Sequence, residues 1–357
     1  MWVSKSLSTA LTPTAIALGN FDGLHRGHQQ VISPILHRAV QPATIAAAQA
    51  QPSIARQKPL NWQNSRLGSC KSLKANDRPE EPYSPSVLPS GVHSTVVTFY
   101  PHPQQFFTGI TRTLLTPLDE KIALLREIGV QQLVLLPFNN DIASLTPREF
   151  VEKILVRELA AKQISVGQNF RFGYKRTGTT EELKSIAWEY GVKVTIVPLE
   201  ICQEERISSS QIRCYLEAGN VKAANRLLGR SYSLMGTVIT GQKLGRTLGF
   251  PTANIQLNQE KFLPKTGVYA VQVWLENSDS NSKPIPGVMN IGMRPTVAGV
   301  KLTTEVHLLD WSGDLYGQNI TVTLEEYLRT EEKFPSLDAL KQQIQADCNL
   351  AKKILQM

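Results

Sequence analysis

A short apolar run, Ala15-Ile16-Ala17-Leu18, feeds directly into Gly19-Asn20-Phe21-Asp22-Gly23-Leu24-His25-Arg26-Gly27-His28, and the apolar residues that follow (Val31, Ile32, Ile35, Leu36) fall at helical spacing. A buried strand, a glycine-punctuated turn and a helix in that order make a phosphate-binding context. Gly19, Gly23 and Gly27 let the backbone approach a ligand, and the new helix presents unpaired N–H groups and the positive end of its dipole to an anion. His25 and His28 lie one turn apart and can face the same phosphates. Neither GxGxxG nor GxxxxGK[ST] occurs here, which excludes a Rossmann dinucleotide site and a P-loop. Taken alone, the two histidines could equally be solvated capping residues.

Beyond a break the alternation continues. From about Gln41 to Gly91 the chain is rich in Ala, Gln, Pro, Ser and Asn and has little periodicity. Such a segment cannot bury enough apolar surface to offset its ordering entropy, so a disordered or loosely packed insertion is expected over 41–91. Order resumes at Ser94–Phe99, a β-branched run closed by Tyr100-Pro101-His102-Pro103, and its end is where open α/β sheets bind ligands. His102 is there either as a site residue or as a packed turn residue. Pro117 to Ile128 has helical spacing with Asp119, Glu120 and Glu127 on the polar side, and Gln132 to Pro137 reads as a strand. Thr146-Pro147-Arg148-Glu149 is a helix start with Thr as N-cap, Pro first and Glu third, and the helix is expected to reach about Leu159. Strand Ile164–Gly167 runs into Gln168-Asn169-Phe170-Arg171-Phe172-Gly173. That polar loop with interleaved aromatics suits a planar ring, unless Phe170 or Phe172 is a core anchor. A helix over 181–190 and a strand over 193–197 complete the succession, which implies right-handed crossovers and a mainly parallel sheet. Arg206-Ile207-Ser208-Ser209-Ser210-Gln211-Ile212-Arg213 is either a second phosphate cradle or a Ser-capped helix with solvent-facing arginines.

After a short helix over 221–228 the character changes at Gly229-Arg230. Short β-like segments at 234–240, 268–275, 285–291, 303–309 and 320–328, separated by Gly or Pro, argue for a small antiparallel barrel. Residues 336–355 read as a final amphipathic helix with apolar residues at 337, 340, 344, 350, 354 and 355. The stretch Gly241 to Asn254 holds three glycines and two cations, Lys243 and Arg246, and can fold over a nucleoside triphosphate or serve as a plain turn. In Thr303–Asp310 alternation puts Glu305 and His307 on one face, and a core-facing Glu305 needs a purpose.

At 357 residues two domains are expected, at 1–228 and 229–357. A net charge of +8 suits polyanionic ligands, but with no Lys/Arg block and no zinc-finger spacing a nucleic-acid partner is not expected. Cys70, Cys202, Cys214 and Cys348 are scattered without a CxxC pair and read as reduced thiols. With no signal-like segment and no run of membrane-spanning length, a soluble cytoplasmic protein is expected, with no membrane partner and as a monomer or weak homo-oligomer.

The block GNFDGLHRGH contains HxGH, the signature of nucleotidyltransferases, and resembles its version in the bacterial bifunctional riboflavin kinase/FMN adenylyltransferases. TFYPHP resembles the family's TF-acidic-PHP, with Tyr100 where an acidic residue is expected. Asn169 matches a binding asparagine, RISSSQIR matches a serine-rich phosphate block, and GxxxGRTLGFPTAN with EVHLLD resembles the riboflavin kinases. NIGMRPT and RTEEKF agree, so the resemblance runs from about Thr14 to Leu355 apart from the insertion, which is tens of residues longer than the family's connection. It implies an α/β fold, with a doubly wound, mainly parallel nucleotidyltransferase domain followed by a small antiparallel β-barrel kinase domain and a C-terminal helix.

The implied activity is phosphorylation of riboflavin by MgATP to FMN in the barrel, then adenylylation of FMN by a second ATP to FAD and pyrophosphate in the first domain. By the same resemblance His25 and His28, with Gly19, Asn20, Phe21, Asp22, Gly27, Arg206, Ser208, Ser209 and Arg213, hold the ATP phosphates of the transferase, and His102, Asn169 and Phe170 its flavin. Gly241, Lys243, Gly245, Arg246, Thr252 and Asn254 hold the kinase's ATP, with Thr252 and Asn254 as oxygen ligands of Mg²⁺ and Glu305 as general base. Asn290, Arg294, Arg329 and Phe334 line its flavin pocket or lid. The alternative is a riboflavin kinase whose first domain is inactive or adenylylates another phosphate monoester, motivated by Tyr100 and the insertion.

Overall fold

In the computed structural model the described residues are 1–36, 88–202, 205–241, 245, 248–276, 283–296 and 299–356, and they fall into two compact units. The first is built on apolar runs that pair as a parallel sheet: β1 (Trp2–Ser4), β2 (Thr14–Leu18), β3 (His93–Tyr100), β4 (Gln132–Pro137), β5 (Ala161–Gly167) and β6 (Lys193–Val197), in the order β1-β4-β3-β2-β5-β6. Every pairing is parallel. All five residues of β2 are buried, as a central strand covered on both faces requires. Its neighbours are β3 on one side and β5 on the other, so the winding reverses there, and the loops after β2 and β5 flank the switch point where open sheets take ligands. The edge strand β1 was not expected; it has three residues, too few for periodicity to reveal.

Helices α1 (Arg26–Ile32), α2 (Pro103–Thr108) and α3 (Leu118–Ile128) follow the first strands, and a short helix α4 (Asn140–Ser144) follows β4. One helical start was fully specified by sequence. Thr146 accepts from Glu149 N and Glu149 returns a bond to Thr146 N, a complete capping box that opens α5 (Pro147–Glu149), continuing as a π-helical segment Phe150–Glu158. Helix α6 (Thr180–Glu189) precedes β6. The expected polar side of α3 needs correction at Glu120, which is only 4% exposed; Lys121 beside it is 8% exposed and bonds the loop after β2, as described below. The expected insertion lies outside the described residues over 37–87; at its tail Leu88 is buried and Val92 N donates to Pro89 O.

The second unit contains Thr113–Pro117 and residues 209 onward. Its strands β9 (Tyr232–Ile239), β10 (Ala253–Leu257), β11 (Gly267–Leu275), β12 (Ile285–Thr296), β13 (Gly299–Leu308) and β14 (Asn319–Arg329) come after a small hairpin, β7 (Ile201–Cys202) and β8 (Glu205–Arg206), of the first unit. They close into a six-stranded antiparallel barrel, β10-β13-β12-β11-β14-β9, with Tyr232, Tyr269, Val271, Met289, Val306 and Leu324 among its fully buried side chains. Helices α7 (Ser209–Ala218) and α8 (Val221–Leu228) pack in this unit, where Asn225 ties α8 to two strands by donating to Leu324 O (2.8 Å) and accepting from Tyr232 N (2.8 Å). The segment 113–117 is stitched on by Leu114 N to Glu260 O and by Lys261 Nζ to Leu115 O.

The last helix, α9 (Leu337–Ile354), is capped by Ser336 and lies on the outer face of β11 and β12, where Cys348 and Ala351 meet Val268, Ala270 and Val288. The apolar stripe read from sequence is thus partly wrong, since Leu337 (66% exposed) and Leu350 (45%) face outward while Asp347 is buried. The thiol expectation also fails at one position. Cys202 is disulfide-bonded, to a partner outside the described residues, whereas Cys214 and Cys348 are free. Sequence separation carries no information about such proximity. No helix among the described residues is long and apolar enough to cross a membrane.

Candidate active sites

The first candidate site grows out of the loop between β2 and α1. Phe21 and Leu24 both adopt positive φ (48° and 41°), a strained conformation for such side chains, and both are buried. Their burial holds the loop in this shape. At Gly19 a Cβ would stand 3.2 Å from the Phe21 ring, tighter than ordinary contact, whereas at Gly27 it would meet the His25 ring at an ordinary 3.4 Å. His25 is the N-cap of α1, its Nδ1 accepting from His28 N (3.3 Å), so in the neutral ring the proton sits on Nε2. The two imidazoles stack, centroids 3.6 Å apart at 15°, and Phe21 meets His28 edge-on at 5.3 Å.

Nδ1 of His28 is enclosed and has no hydrogen-bond partner. Burial, then the neighbouring His25 and Lys121, holds this imidazole well below its ordinary pKa, so it is neutral near pH 7. Lys121 was missed by the sequence reading. Its Nζ donates to Asn20 O (2.9 Å), which Thr98 Oγ1 also contacts (3.3 Å). The available signal was its place at helical spacing with Leu118, Leu124, Leu125 and Ile128, a lysine on the apolar side of α3.

Across the switch point, the loop after β5 is pinned by Phe172, which exchanges backbone bonds with Gly178 and packs in the core against Phe150. Phe172 is thus the core anchor of the pair. Phe170 stacks on it (5.8 Å, 13°) and is partly buried, and Asn169 is exposed beside Gly167. His102 caps α2 through Nδ1, accepting from Gln104 N (3.1 Å), and Tyr100, 50% exposed, ends β3. Asp22 is buried in the β2–α1 loop. Arg206 ends β8 and Ser208 follows it in the first unit, whereas Ser209 and Arg213 lie in α7 of the second. There the Arg213 guanidinium covers the Phe262 ring at 4.8 Å.

The second candidate site is on the outer surface of the barrel. Along β13 it is Thr304, Val306 and Leu308 that point inward, so Glu305 and His307 share the opposite face and are half-buried. Alternation put Glu305 and His307 on one face and left its phase open; the barrel turns that face outward. Glu305 stands directly opposite Asn254 of β10 and opposite Asn290 of β12, making a polar rung across three adjacent strands. Thr252 Oγ1 donates to Glu305 Oε2 (3.2 Å), and His307 Nδ1–H donates to Pro251 O (2.8 Å). Gly241 lies against the rung, where a Cβ would be 2.1 Å from Asn254 Nδ2, and one at Gly245 would be 2.3 Å from Phe250 O. Lys243 and Arg246 lie outside the described residues, as does the side chain of Arg294.

The segment after β14 reaches the same rung. Glu331 accepts from Asn290 Nδ2 (3.1 Å) and Met293 N (3.4 Å), while Asn290 Oδ1 is enclosed without a partner. Glu331 was not singled out by sequence. Arg329, expected at the flavin, is committed instead to Asp347 of α9 through Nε and Nη2 (2.8 to 3.1 Å) and to Thr330 O, with Phe334 beside its guanidinium at 5.7 Å. It therefore anchors the segment 330–334, expected to line the flavin pocket or form its lid, to the helix.

Comparison with known proteins covers both parts of the chain. A riboflavin kinase family model matches residues 228–355, and an FAD synthetase model matches 7–57 and 88–211, leaving 58–87 unmatched. Proteins named bifunctional riboflavin kinase/FMN adenylyltransferase align over nearly the whole chain. The one from Pseudomonas fluorescens is 37% identical over 338 residues, 94% of this chain and 91% of that protein. That from Escherichia coli K12 is 35% identical over 333 residues (93% and 90%), and that from Bacillus subtilis 32% over 341 (94% and 90%). A crystal structure described as a macrolide-efflux protein from Streptococcus pneumoniae superposes with a TM-score of 0.74 at 27% identity and covers 98% of both chains.

Proposed function

The chain belongs to the bifunctional riboflavin kinase/FMN adenylyltransferase family, and on that premise we propose that its barrel unit phosphorylates riboflavin at the Asn254–Glu305–Asn290 rung while its parallel-sheet unit adenylylates FMN around His25 and His28. Both reactions consume ATP, and the product of the first is the acceptor of the second.

In the kinase step Glu305 takes the proton of the terminal ribityl hydroxyl as that oxygen attacks the γ-phosphorus, and ADP leaves with the bond electrons. The single observation that carries this is the rung itself, which sets a half-buried carboxylate between two amides on the outer barrel face. The hydroxyl of Thr252 fixes one carboxylate oxygen and leaves the other to meet the substrate. Hard oxygen donors on Thr252 and Asn254 fit Mg²⁺; these two residues would hold it beside the phosphates, and the ion would neutralise phosphate charge. By the family's motifs Gly241, Lys243, Gly245 and Arg246 are assigned to the ATP phosphates and Arg294 to the flavin. Asn290 contacts the flavin, and Phe334 lies in the segment held by Arg329.

In the transferase step an FMN phosphate oxygen attacks the α-phosphorus of ATP, the bond to the β-phosphate oxygen breaks, and pyrophosphate leaves. The nucleophile is already ionised and needs no base, so catalysis is positioning and charge stabilisation. His28, held neutral and with Nδ1 unpaired within the protein, gains a partner when phosphate arrives, and His25, stacked on it, is oriented by its own cap bond. Arg206 and Ser208 add donors, and Asn169 with Phe170 and His102 bind the flavin end. A cytoplasmic location suits two steps that draw on ATP.

A chromatographic time course with riboflavin, ATP and Mg²⁺ tests the division. Wild type is expected to give FMN and then FAD, His28→Ala to stop at FMN, and Glu305→Gln to make FAD only from supplied FMN. FAD formation from riboflavin by Glu305→Gln at the wild-type rate refutes the base assignment.

A further inference from the structure

The Lys121 ammonium is in an unusual electrostatic position. It is more than nine-tenths buried, it makes one hydrogen bond, to the neutral carbonyl of Asn20, and no carboxylate reaches ion-pair distance of it among the described residues. Two of its three N–H donors are therefore unspent. A buried cation with one neutral partner has lost hydration that nothing in the protein replaces. Burial accordingly pushes its pKa down, and the Asp22 carboxylate restores only part of that. The same loop encloses His28, whose Nδ1 is also without a partner and whose proton affinity Lys121 itself depresses. Two electropositive groups thus converge on one short loop, at the strand end where open sheets bind phosphates, and its one buried carboxylate, Asp22, offsets the burial of Lys121 only in part.

We propose that Lys121 is a catalytic residue of the adenylyl transfer: held under the Gly19–Asp22 loop by Asn20, its ammonium pairs with the ATP triphosphate and with the charge that grows on the departing pyrophosphate. This rests on the adenylyltransferase reading above. When the α-phosphorus bond to pyrophosphate breaks, negative charge accumulates on the leaving oxygen, and a pre-placed cation in a dry site stabilises that state with little reorganisation. Lysine serves here as a compact point charge on a long stem, able to reach from α3 beneath the loop.

The test uses the full-length protein with FMN and ATP supplied, so that adenylylation is read independently of the kinase. Lys121→Met is expected to lower kcat for FAD formation by about a hundredfold or more, in line with loss of a transition-state donor. Riboflavin phosphorylation in the same preparation should stay within twofold of wild type, and Lys121→Arg should recover at least tenfold of the loss. The proposal is overturned if Lys121→Met makes FAD within threefold of wild type, if the arginine variant is no better than methionine, or if kinase activity falls in step, which marks a lysine needed for folding. Should wild type itself make no FAD from FMN, it is the adenylyltransferase reading that fails instead.

Discussion

Replacing Gly241 by alanine should disable the kinase through one side chain. The new Cβ would stand 2.1 Å from Asn254 Nδ2, whereas ordinary carbon contacts begin near 3.4 Å, so the Asn254 amide must move by about 1.3 Å or more. Because the obstructing atom is the end of a rotatable side chain, the barrel relieves the overlap by turning Asn254 away rather than by unfolding. Asn254 would then leave the rung it shares with Glu305. A misplacement of about 1 Å in a reacting constellation costs on the order of a hundredfold, or roughly 2.7 kcal/mol at about 1.36 kcal/mol per tenfold. The assay is riboflavin-dependent ADP release, with adenylylation of supplied FMN as the internal control. Gly241→Ala should lose about two decades of the first and none of the second. Asn254→Ala should lose a similar amount, and the double variant no more than either, because the clash has no target once the amide is gone. Wild-type kinase activity in Gly241→Ala, or full additivity in the double variant, refutes the reasoning.

Three further outcomes are expected. Asp347→Ala strands the Arg329 guanidinium, 17% exposed against 6% for its partner, and should cost about 3 kcal/mol of barrel stability, read by urea denaturation with kinase activity as the probe; Arg329→Met/Asp347→Leu should regain most of it. Asn225→Leu removes its buried bonds to Leu324 O and Tyr232 N and should destabilise the barrel unit by about 2–4 kcal/mol, measured the same way. His28 has a folded pKa below its unfolded one, so the unfolded chain binds the extra proton, and stability drawn from the neutral ring is lost as pH falls below about 6.5. The urea midpoint of wild type should therefore drop more between pH 7.5 and 5.5 than that of His28→Gln, and equal drops refute the assignment.

What the residues by themselves determined is whatever depends on neighbours within about one helical turn or on the pleat of a single strand. The parallel run β2, the strand Gln132–Pro137, the capping box at Thr146 and Glu149, and α8 over Val221–Leu228 were all legible, because caps and apolar periodicity act over three or four residues. His25 and His28 were readable as a pair for the same reason. The fold class followed from the order of such elements. What sequence left open was phase and partnership. Alternation placed Glu305 with His307 but not the face they share; barrel closure decided that by turning Thr304, Val306 and Leu308 inward. Asn254, Glu305 and Asn290 met only because β10, β13 and β12 paired in one register, and a slip of one residue would have turned them away. Arg329 looked like a ligand-facing cation until α9 supplied Asp347. Lys121 was not singled out by sequence although it lies at helical spacing with the apolar residues of α3, because only the packing of that helix beneath the loop after β2 shows what its ammonium meets.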